Sequence, residues 1–257
     1  MTLTRMARMR TMAILAAALV HVTPATAETF VGTNVDSRVV VALKADDAAV
    51  QALLPDGWSQ LTLPEGPLKG ANLLAVFIDR HLQRDPEGKP SSPATARAVA
   101  LVAYGVSSDA PAPRMFVARV YETAPVANSY GNGVESQVGH DVTQVGPPDA
   151  PATRTERWEL QVADGGAISL SLTHQVGTPG WSHAEALPYS AANPGFHRIY
   201  RYDQLAELVM SRGLGRDLQG EVSFGAKLAD LPDLFDGGEE VIAILSVPVY
   251  VRDVFLP

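Results

Sequence analysis

Residues 154–175 read RTERWELQVADGGAISLSLTHQ, and their pattern indicates the fold class. From Arg154 to Ala163, and again from Ala167 to Gln175, mostly apolar residues alternate with charged or hydroxyl-bearing ones. A period of two gives a strand one dry face and one wet face. The Asp-Gly-Gly sequence at 164–166 between the two runs is typical of a tight turn. The stretch therefore predicts a β-hairpin in a mainly β protein.

Most of the remaining chain has the same character, with runs of Val, Ile, Leu and Thr separated by Gly, Pro and Asp. We expect further strands at Ser37–Leu43, Ala71–Asp79, Ala96–Val106, Arg114–Tyr121 and Glu239–Phe255. Two segments, Ala45–Leu54 and Asp203–Arg212, have the spacing of a helix face instead. In the second, Leu205, Leu208 and Val209 fall on one side. The pattern predicts a mainly β (α+β) fold, antiparallel, with two or three short peripheral helices.

The N-terminus has the pattern of a cleavable export signal. Arginines at positions 5, 8 and 10 precede an apolar run, Met12–Val20, and the small residues Ala25–Ala27 follow it. The run is too short for a retained membrane helix, which needs about 20 apolar residues, and no second long apolar run follows. We therefore expect removal of residues 1–27 and a single mature domain at 28–257. This domain would be exported to a bacterial periplasm or secreted, without stable membrane insertion.

Composition excludes several classes of function. The chain has no cysteine, which excludes disulfides, thiolate metal sites and cysteine nucleophiles. Its formal net charge is −8 and it has no clustered basic segment, so nucleic acid is not an expected partner. The Gly-x-Ser-x-Gly elbow of a serine hydrolase is also missing.

The histidines give no firm metal or catalytic site. His183 and Glu185 would share one face of an extended segment and could hold a metal together with His174, but their spacing matches no recognised metal motif. His140 and Asp141 are adjacent, and neighbours on a strand point to opposite faces. We therefore expect no metal and no cofactor.

Residues 39–79 have a distinctive order of elements. An apolar strand is followed by a short helix at Asp46–Leu53, the break LPDGW at 54–58, and a return strand at Leu73–Phe77. This order, with a long final strand that ends in Leu256-Pro257, resembles the acetoacetate decarboxylase family. The resemblance covers most of the mature chain in element order, through short motifs. It implies a cone-like antiparallel β-barrel around a small, mostly closed cavity.

In that family a lysine forms a Schiff base with a β-keto acid, and an adjacent lysine lowers its pKa. The pair follows an arginine-glutamate step, typically as Pro-Lys-Lys. The matching region here, Val120–Tyr130, contains no lysine, and no two of the chain's four lysines are neighbours. Lys69, in a loop that leads into a core strand, is the least ordinary of the four. We therefore do not expect Schiff-base catalysis.

The region that corresponds to the family's reactive lysine offers other side chains. Glu122 is the expected acid/base, provided that burial raises its pKa. Tyr121, Asn128 and Tyr130 are expected to line the cavity, and Arg119 is one candidate for holding a substrate carboxylate.

A second candidate site is the segment FHRIYRY at 196–202. If it is extended, Arg198, Tyr200 and Tyr202 fall on one side. An arginine flanked by tyrosines inside a barrel suits a carboxylate, because the guanidinium has a planar fork of donors. On an outer face the same residues would shield a sheet edge. We expect Arg198 and Tyr200 to contact the ligand.

Two functions remain open at this point. The first is an exported acetoacetate decarboxylase-like protein that binds a small organic acid or similar metabolite without Schiff-base chemistry. The second is a lyase, decarboxylase-like or hydratase-like, that acts on a keto or hydroxy acid with Glu122 as acid/base and Arg119 or Arg198 as carboxylate clamp. A filled barrel with a structural role is a third class. A small molecule is the expected partner, and exposed apolar strand edges leave a homo-oligomer open.

Overall fold

The computed structural model describes residues 27–125, 128–147 and 149–257. Strands account for 58% of the structure and helices for 4%, which confirms the mainly β class. The strands are β1 Thr29–Lys44, β2 Ser59–Gln60, β3 Leu73–Arg84, β4 Ala96–Val106, β5 Arg114–Glu122, β6 Gly133–Val145, β7 Thr153–Val162, β8 Ala167–Gln175, β9 Gly180–Ala186, β10 Pro188–Ser190, β11 Ile199–Ser211, β12 Gly220–Lys227 and β13 Glu240–Leu256. The helices of the described ranges include α1 Asp47–Gln51 and a 3-10 helix at Arg212–Leu214.

The predicted hairpin is confirmed as β7 and β8. The two strands pair antiparallel, with Leu160 opposite Ile168. Gly165 N–H donates to Val162 O at 3.0 Å, and the Asp164 carboxylate accepts from Gly166 N–H at 2.9 Å, so the Asp-Gly-Gly turn satisfies its own backbone. The strands expected at 96–106 and near 114–121 and 239–255 are also present, as β4, β5 and β13.

The main path of the sheet runs β12-β8-β7-β6-β5-β4-β3-β1-β13-β11-β9. All of its neighbouring pairs are antiparallel except β5 with β6. Among the described residues the edge strands β12 and β9 do not pair with each other, so this path is not a closed ring. However, β10 follows β9 after a single residue and pairs in parallel with β5. The β9–β10 segment therefore connects β11 to β5 and encloses the space between them.

The central strands are covered on both faces. On one face, Phe77 of β3 packs against Trp158 of β7 with ring centroids 5.6 Å apart, in the larger apolar cluster. On the other face, Leu74 and Ile78 belong to a second cluster that faces the enclosed space. Strands buried on both faces carry continuous apolar runs instead of alternation, which explains the sequence LLAVF at 73–77.

The first predicted helix is confirmed and the second is wrong. Asp46 caps α1 by accepting from the N–H groups of Ala48 and Ala49, each at 2.9 Å. The segment Asp203–Arg212, predicted as a helix, belongs almost entirely to β11, which pairs with β13 on one side and β9 on the other. Two shifts in its register with β13 break the period-two pattern, and so its apolar residues acquire a helix-like spacing.

The N-terminal signal predicted at residues 1–27 lies outside the described residues, apart from Ala27. Within the described ranges, no helix has the length and apolar character needed to cross a membrane.

Candidate functional site

A cavity of about 490 Å³ lies on the inner face of the sheet. Strands β1, β3, β4, β5, β11 and β13 all contribute side chains to its lining. Its volume is in the range of small-molecule sites, roughly 300–1,000 Å³. The cavity is therefore the main candidate for ligand binding.

One wall of this cavity, called here the cationic wall, carries arginines and tyrosines. It is formed by Arg38 of β1, Arg198 just before β11, and Tyr200, Tyr202, Tyr250 and Arg252 of β11 and β13. The strand register brings them together, because Asn34 lies opposite Arg252 on β13 and Asp36 lies opposite Tyr250. Asp36 also lies opposite Arg80 on β3, which places a further arginine beside this wall.

The buried carboxylate of Asp36 fixes the positions of Arg38 and Arg80. The side chain is only 1% exposed, and its carboxylate accepts from Arg38 at 2.5 Å and from Arg80 at 3.2 Å. Burial alone would raise the pKa of Asp36, but Arg38, Arg80 and Arg252 together hold it below its usual range. The carboxylate is therefore ionised at neutral pH and compensates for part of the positive charge.

Arg252 is buried between an amide and an aromatic ring. Its guanidinium carbon lies 4.0 Å from the centroid of the Tyr200 ring. With the Asn34 amide turned so that its oxygen faces Arg252, that oxygen accepts from Nη2 at 2.8 Å and from Nε at 3.2 Å. Arg38 stacks in a similar way over Tyr250, at 3.5 Å. These contacts fix the guanidinium groups before any ligand enters.

Two tyrosine hydroxyls meet at the edge of this wall. The phenolic oxygens of Tyr130 and Tyr200 are 2.6 Å apart, and both side chains are buried. Burial raises the pKa of Tyr130 well above its usual value, and the neighbouring Tyr200 raises it further. For Tyr200, burial acts in the same direction, but Arg252, Arg198 and the hydrogen bond from Tyr130 outweigh it and lower the pKa. The hydroxyl proton of Tyr200 is therefore easier to remove than that of Tyr130.

Glu122 lines the cavity at the end of β5 and is 8% exposed. Burial raises its pKa, against smaller opposing effects of a hydrogen bond from Asn128 and of Arg80. Its Oε1 atom is buried and has no hydrogen-bond partner among the described residues. A carboxyl group with a raised pKa in a cavity has the properties of a proton donor or acceptor for a bound molecule.

The facing wall, called here the aliphatic wall, comes from β3, β4 and β5. Its side chains are Leu74, Val76, Ile78, Ala96, Ala98, Ala100, Val102, Met115, Val117 and Val120. The cavity thus has two chemically different sides.

Five of the seven side chains expected at the site lie in this cavity. They are Glu122, Asn128, Tyr130, Arg198 and Tyr200. The other two, Arg119 and Tyr121, do not line the cavity. Both contact Asp230 instead, Arg119 through an ion pair at 3.0 Å and Tyr121 through a hydrogen bond at 2.8 Å. They alternate along β5 with Val120 and Glu122, which face the cavity, and therefore point to the opposite side.

None of the four lysines, all of which the structure describes, lines the cavity. Lys44 pairs with Asp47, and Lys69, Lys89 and Lys227 are exposed. Val126 and Ala127, near which the resemblance predicted the position of the family's lysine pair, are not lysines and lie outside the described residues.

The histidine candidates lie elsewhere. His140 contacts not Asp141 but Asp79 at 2.9 Å and Glu156 at 3.2 Å, in a buried ionic cluster. His183 pairs on the surface with Asp203, and the described residues contain no group of three acidic or histidine side chains placed to hold a metal.

Sequence reasoning missed Arg38, Arg80 and Arg252. Each is separated by many residues from the others, and only the register of β3, β1 and β13 brings them together. A signal was present, because each arginine interrupts or adjoins an otherwise apolar strand: SRVVVAL at 37–43, FIDRH at 77–81 and VYVRDVF at 249–255.

Comparisons with known proteins agree with this geometry at the level of the fold. No family model and no curated protein matches the sequence. The structure is similar to the enduracididine biosynthesis enzyme MppR complexed with the condensation product of pyruvate and imidazole 4-carboxaldehyde, with a TM-score of 0.52, 13% identity, and coverage of 88% of this chain and 87% of that one. It is also similar to an acetoacetate decarboxylase-like enzyme from Sphingomonas wittichii RW1, with a TM-score of 0.51, 16% identity, and coverage of 94% and 96%. The resemblance predicted from sequence is therefore confirmed as a fold: this chain has the fold of the acetoacetate decarboxylase-like proteins.

Proposed function

We propose that this chain is an exported, divergent acetoacetate decarboxylase-like protein whose cavity binds a small organic acid without forming a Schiff base. One observation carries the proposal. Arg38, Arg80, Arg198 and Arg252 line the same cavity, and no lysine of the described chain does. The site therefore offers donors for a carboxylate and no amine for a carbonyl.

The charge balance of the cavity favours an anion. Five arginines line it, the four above and Arg84 near its rim, whereas Glu122 is the one acidic side chain in the lining that the structure describes. The carboxylate of Asp36, which is not part of the lining, offsets part of this positive charge; its Oδ2 lies 2.5 Å from Arg38 Nη2. A cavity with surplus positive charge and a low dielectric constant attracts and holds anions.

The donors also suit a carboxylate in shape. Arg38 Nε and Arg198 Nε are buried and have no hydrogen-bond partner among the described residues. Leaving such atoms unpaired costs free energy, about 1–3 kcal/mol each. A carboxylate accepts from a guanidinium through two parallel hydrogen bonds, and so a bound acid would satisfy such donors.

Export is supported by the N-terminal pattern. The basic start, the short apolar run and the Ala-Thr-Ala ending at 25–27 fit a cleaved signal. Expression of the full chain in a bacterium followed by mass spectrometry of the periplasmic fraction tests this. A protein that begins at Glu28 supports export, and an intact cytoplasmic chain contradicts it.

The binding proposal is tested with the mature chain and two short keto acids, pyruvate and acetoacetate. We expect saturable binding by calorimetry, loss of binding for the methyl esters, and no covalent adduct after borohydride treatment in the presence of either acid. Equal binding of acid and ester would contradict a carboxylate site. A borohydride-trapped adduct on any lysine would contradict the absence of Schiff-base chemistry.

A second candidate function is a lyase, decarboxylase-like or hydratase-like, that acts on a keto or hydroxy acid. The observation that favours it is Glu122, a cavity carboxyl group with a raised pKa and an unpartnered Oε1. MppR, one of the similar structures, holds a condensation product of pyruvate. Glu122→Gln keeps the size of the side chain and removes the titration. We expect it to abolish turnover of a keto-acid panel while binding changes little, and a wild type that turns over no member of the panel excludes this candidate.

A further inference from the structure

The two walls of the cavity differ in a way that bears on the size of the ligand. The cationic wall carries three arginines and three tyrosines, whereas the aliphatic wall carries only alkyl side chains and one thioether. Arg80 of β3 and Glu122 of β5 border the aliphatic wall. A very short acid would fill the space beside the arginines and leave the aliphatic wall without contact. A ligand that contacts both walls therefore needs an apolar group as well as a carboxylate.

The centre of the aliphatic wall is built from small side chains. Ala98 lies between Ile78 on β3 and Glu122 on β5, and Ala100 lies between Val76 and Val120. Both alanines line the cavity. Alanines flanked by larger residues form a shallow recess along β4.

The volume of the cavity also favours a ligand larger than a short keto acid. At the roughly 30 Å³ that a water molecule occupies in the liquid, a cavity of 490 Å³ has room for about sixteen non-hydrogen atoms. This is more than twice what a short keto acid such as pyruvate contains.

We propose that the cavity selects monocarboxylates that bear a bulky apolar group, of about six to ten carbons, over short-chain acids. The carboxylate lies against Arg198 and Arg252, and the apolar group lies in the recess at Ala98 and Ala100. This inference rests on the proposed acid-binding function and adds the class of acid. Buried apolar surface then supplies most of the discrimination, because each methylene that leaves water contributes roughly a fourfold gain in affinity.

The first test is a homologous series of straight-chain acids from acetate to decanoate, with pyruvate and phenylpyruvate as a second pair, measured by calorimetry on the mature chain. We expect affinity to rise by roughly fourfold per methylene before it levels off, and phenylpyruvate to bind more tightly than pyruvate. Equal affinity along the series overturns this inference and leaves acid binding intact. If no acid binds at any length, the proposed function fails as well.

The second test places the apolar group. Ala100→Leu fills the recess, and we expect it to weaken binding of octanoate and phenylpyruvate by at least about tenfold while binding of acetate and pyruvate is unchanged. Ala100→Val fills less of it and should have a smaller effect in the same direction, which keeps the test valid if the leucine variant does not fold. Ala48→Leu, on the exposed side of α1, is the control. Equal weakening of short and long acids by Ala100→Val, with an unchanged melting temperature, overturns the placement.

Discussion

The phenolic oxygens of Tyr130 and Tyr200 lie 2.6 Å apart in the buried edge of the cavity, and the guanidinium of Arg252 lies 4.0 Å from the Tyr200 ring. The two hydroxyls are in different electrostatic settings. Arg252 and Arg198 stabilise the phenolate form of Tyr200, whereas burial and its neighbour stabilise the neutral form of Tyr130. Tyr200 is therefore the first of the two to ionise, and the Tyr130 hydroxyl donates to its phenolate oxygen once it has done so.

This difference predicts a tyrosine that ionises early. An ordinary tyrosine titrates near pH 10, and we expect the wild type to form tyrosinate below that value, measured by ultraviolet absorbance. Tyr130→Phe removes the hydrogen bond that lowers the pKa of Tyr200, and Arg252→Gln removes the adjacent charge, so each should shift the early titration upward. Tyr104→Phe is the control, because burial raises the pKa of Tyr104. A wild type without early tyrosinate would contradict this assignment.

The sequence indicated Arg119 and Arg198 as alternative ligands for a substrate carboxylate. Only Arg198 lies in the cavity, and substitution of each arginine tests which one binds the acid. Arg198 lines the cavity and hydrogen-bonds to Ser129, whereas Arg119 pairs with Asp230 outside it. Because a hydrogen bond to a charged group contributes about 1.5–3 kcal/mol, we expect Arg198→Gln to weaken acid binding by at least about tenfold.

Arg119→Gln is the matched control, with the same change of side chain on the other side of the sheet. We expect it to leave the dissociation constant of the acid unchanged, measured by calorimetry under the same conditions. If both variants weaken binding equally, the cavity is not where the acid binds.

The sequence predicted the architecture where the period of apolar residues is clean. The hairpin at 154–175 and the strand at 96–106 have regular alternation or a continuous apolar run, and both are present in the structure. The helix expected at Asp203–Arg212 is a strand, because two register shifts against β13 put Leu205, Leu208 and Val209 at helix-like intervals. Pairing with β9 and β13 makes this segment a strand instead of a helix. Such pairing depends on residues distant in sequence and cannot be read from the local pattern.

The candidate site was predictable in part for the same reason. The local sequence around Glu122 and Arg198 indicated both as ligand-site residues, and both line the cavity. Arg119 was nominated beside Glu122, but strand alternation turns it away. The arginines around Asp36 depend on the register of three strands that are distant in sequence. No local pattern contains that register.

The ionic cluster at Asp36 predicts a large loss of stability on substitution. Asp36→Asn leaves Arg38 and Arg80 beside a neutral amide in a buried setting, and breaking a buried pair costs about 3–5 kcal/mol. Asp47→Asn removes the exposed pair with Lys44 and should cost less than about 1 kcal/mol. Urea unfolding at neutral pH compares the two, and a similar small loss for both would show that the Asp36 cluster contributes little.

Acid should weaken the wild type through the same carboxylate. The pKa of Asp36 is lower in the folded than in the unfolded state, so its contribution to the free energy of unfolding is complete above the unfolded pKa of about 3.9 and is lost as pH falls through the folded value. The difference in unfolding free energy between the wild type and Asp36→Asn should therefore be constant near neutral pH and shrink below about pH 4. A difference that stays constant to the lowest pH at which the wild type is folded contradicts the linkage.

Gly32 lines the cavity, and its replacement tests how strictly the backbone is held there. It has a φ of +143°, next to a register shift in β1, and a Cβ built on it would lie 2.1 Å from the carbonyl oxygen of Arg84. The obstacle is backbone, so no side chain can move to relieve it. We expect Gly32→Ala to lower the free energy of unfolding by more than the roughly 1–3 kcal/mol that backbone strain alone costs. Gly225→Ala, whose nearest neighbour would be the Ser169 hydroxyl at 3.4 Å, should change stability little, and equal losses in urea unfolding for the two variants would show that the backbone at Gly32 adapts.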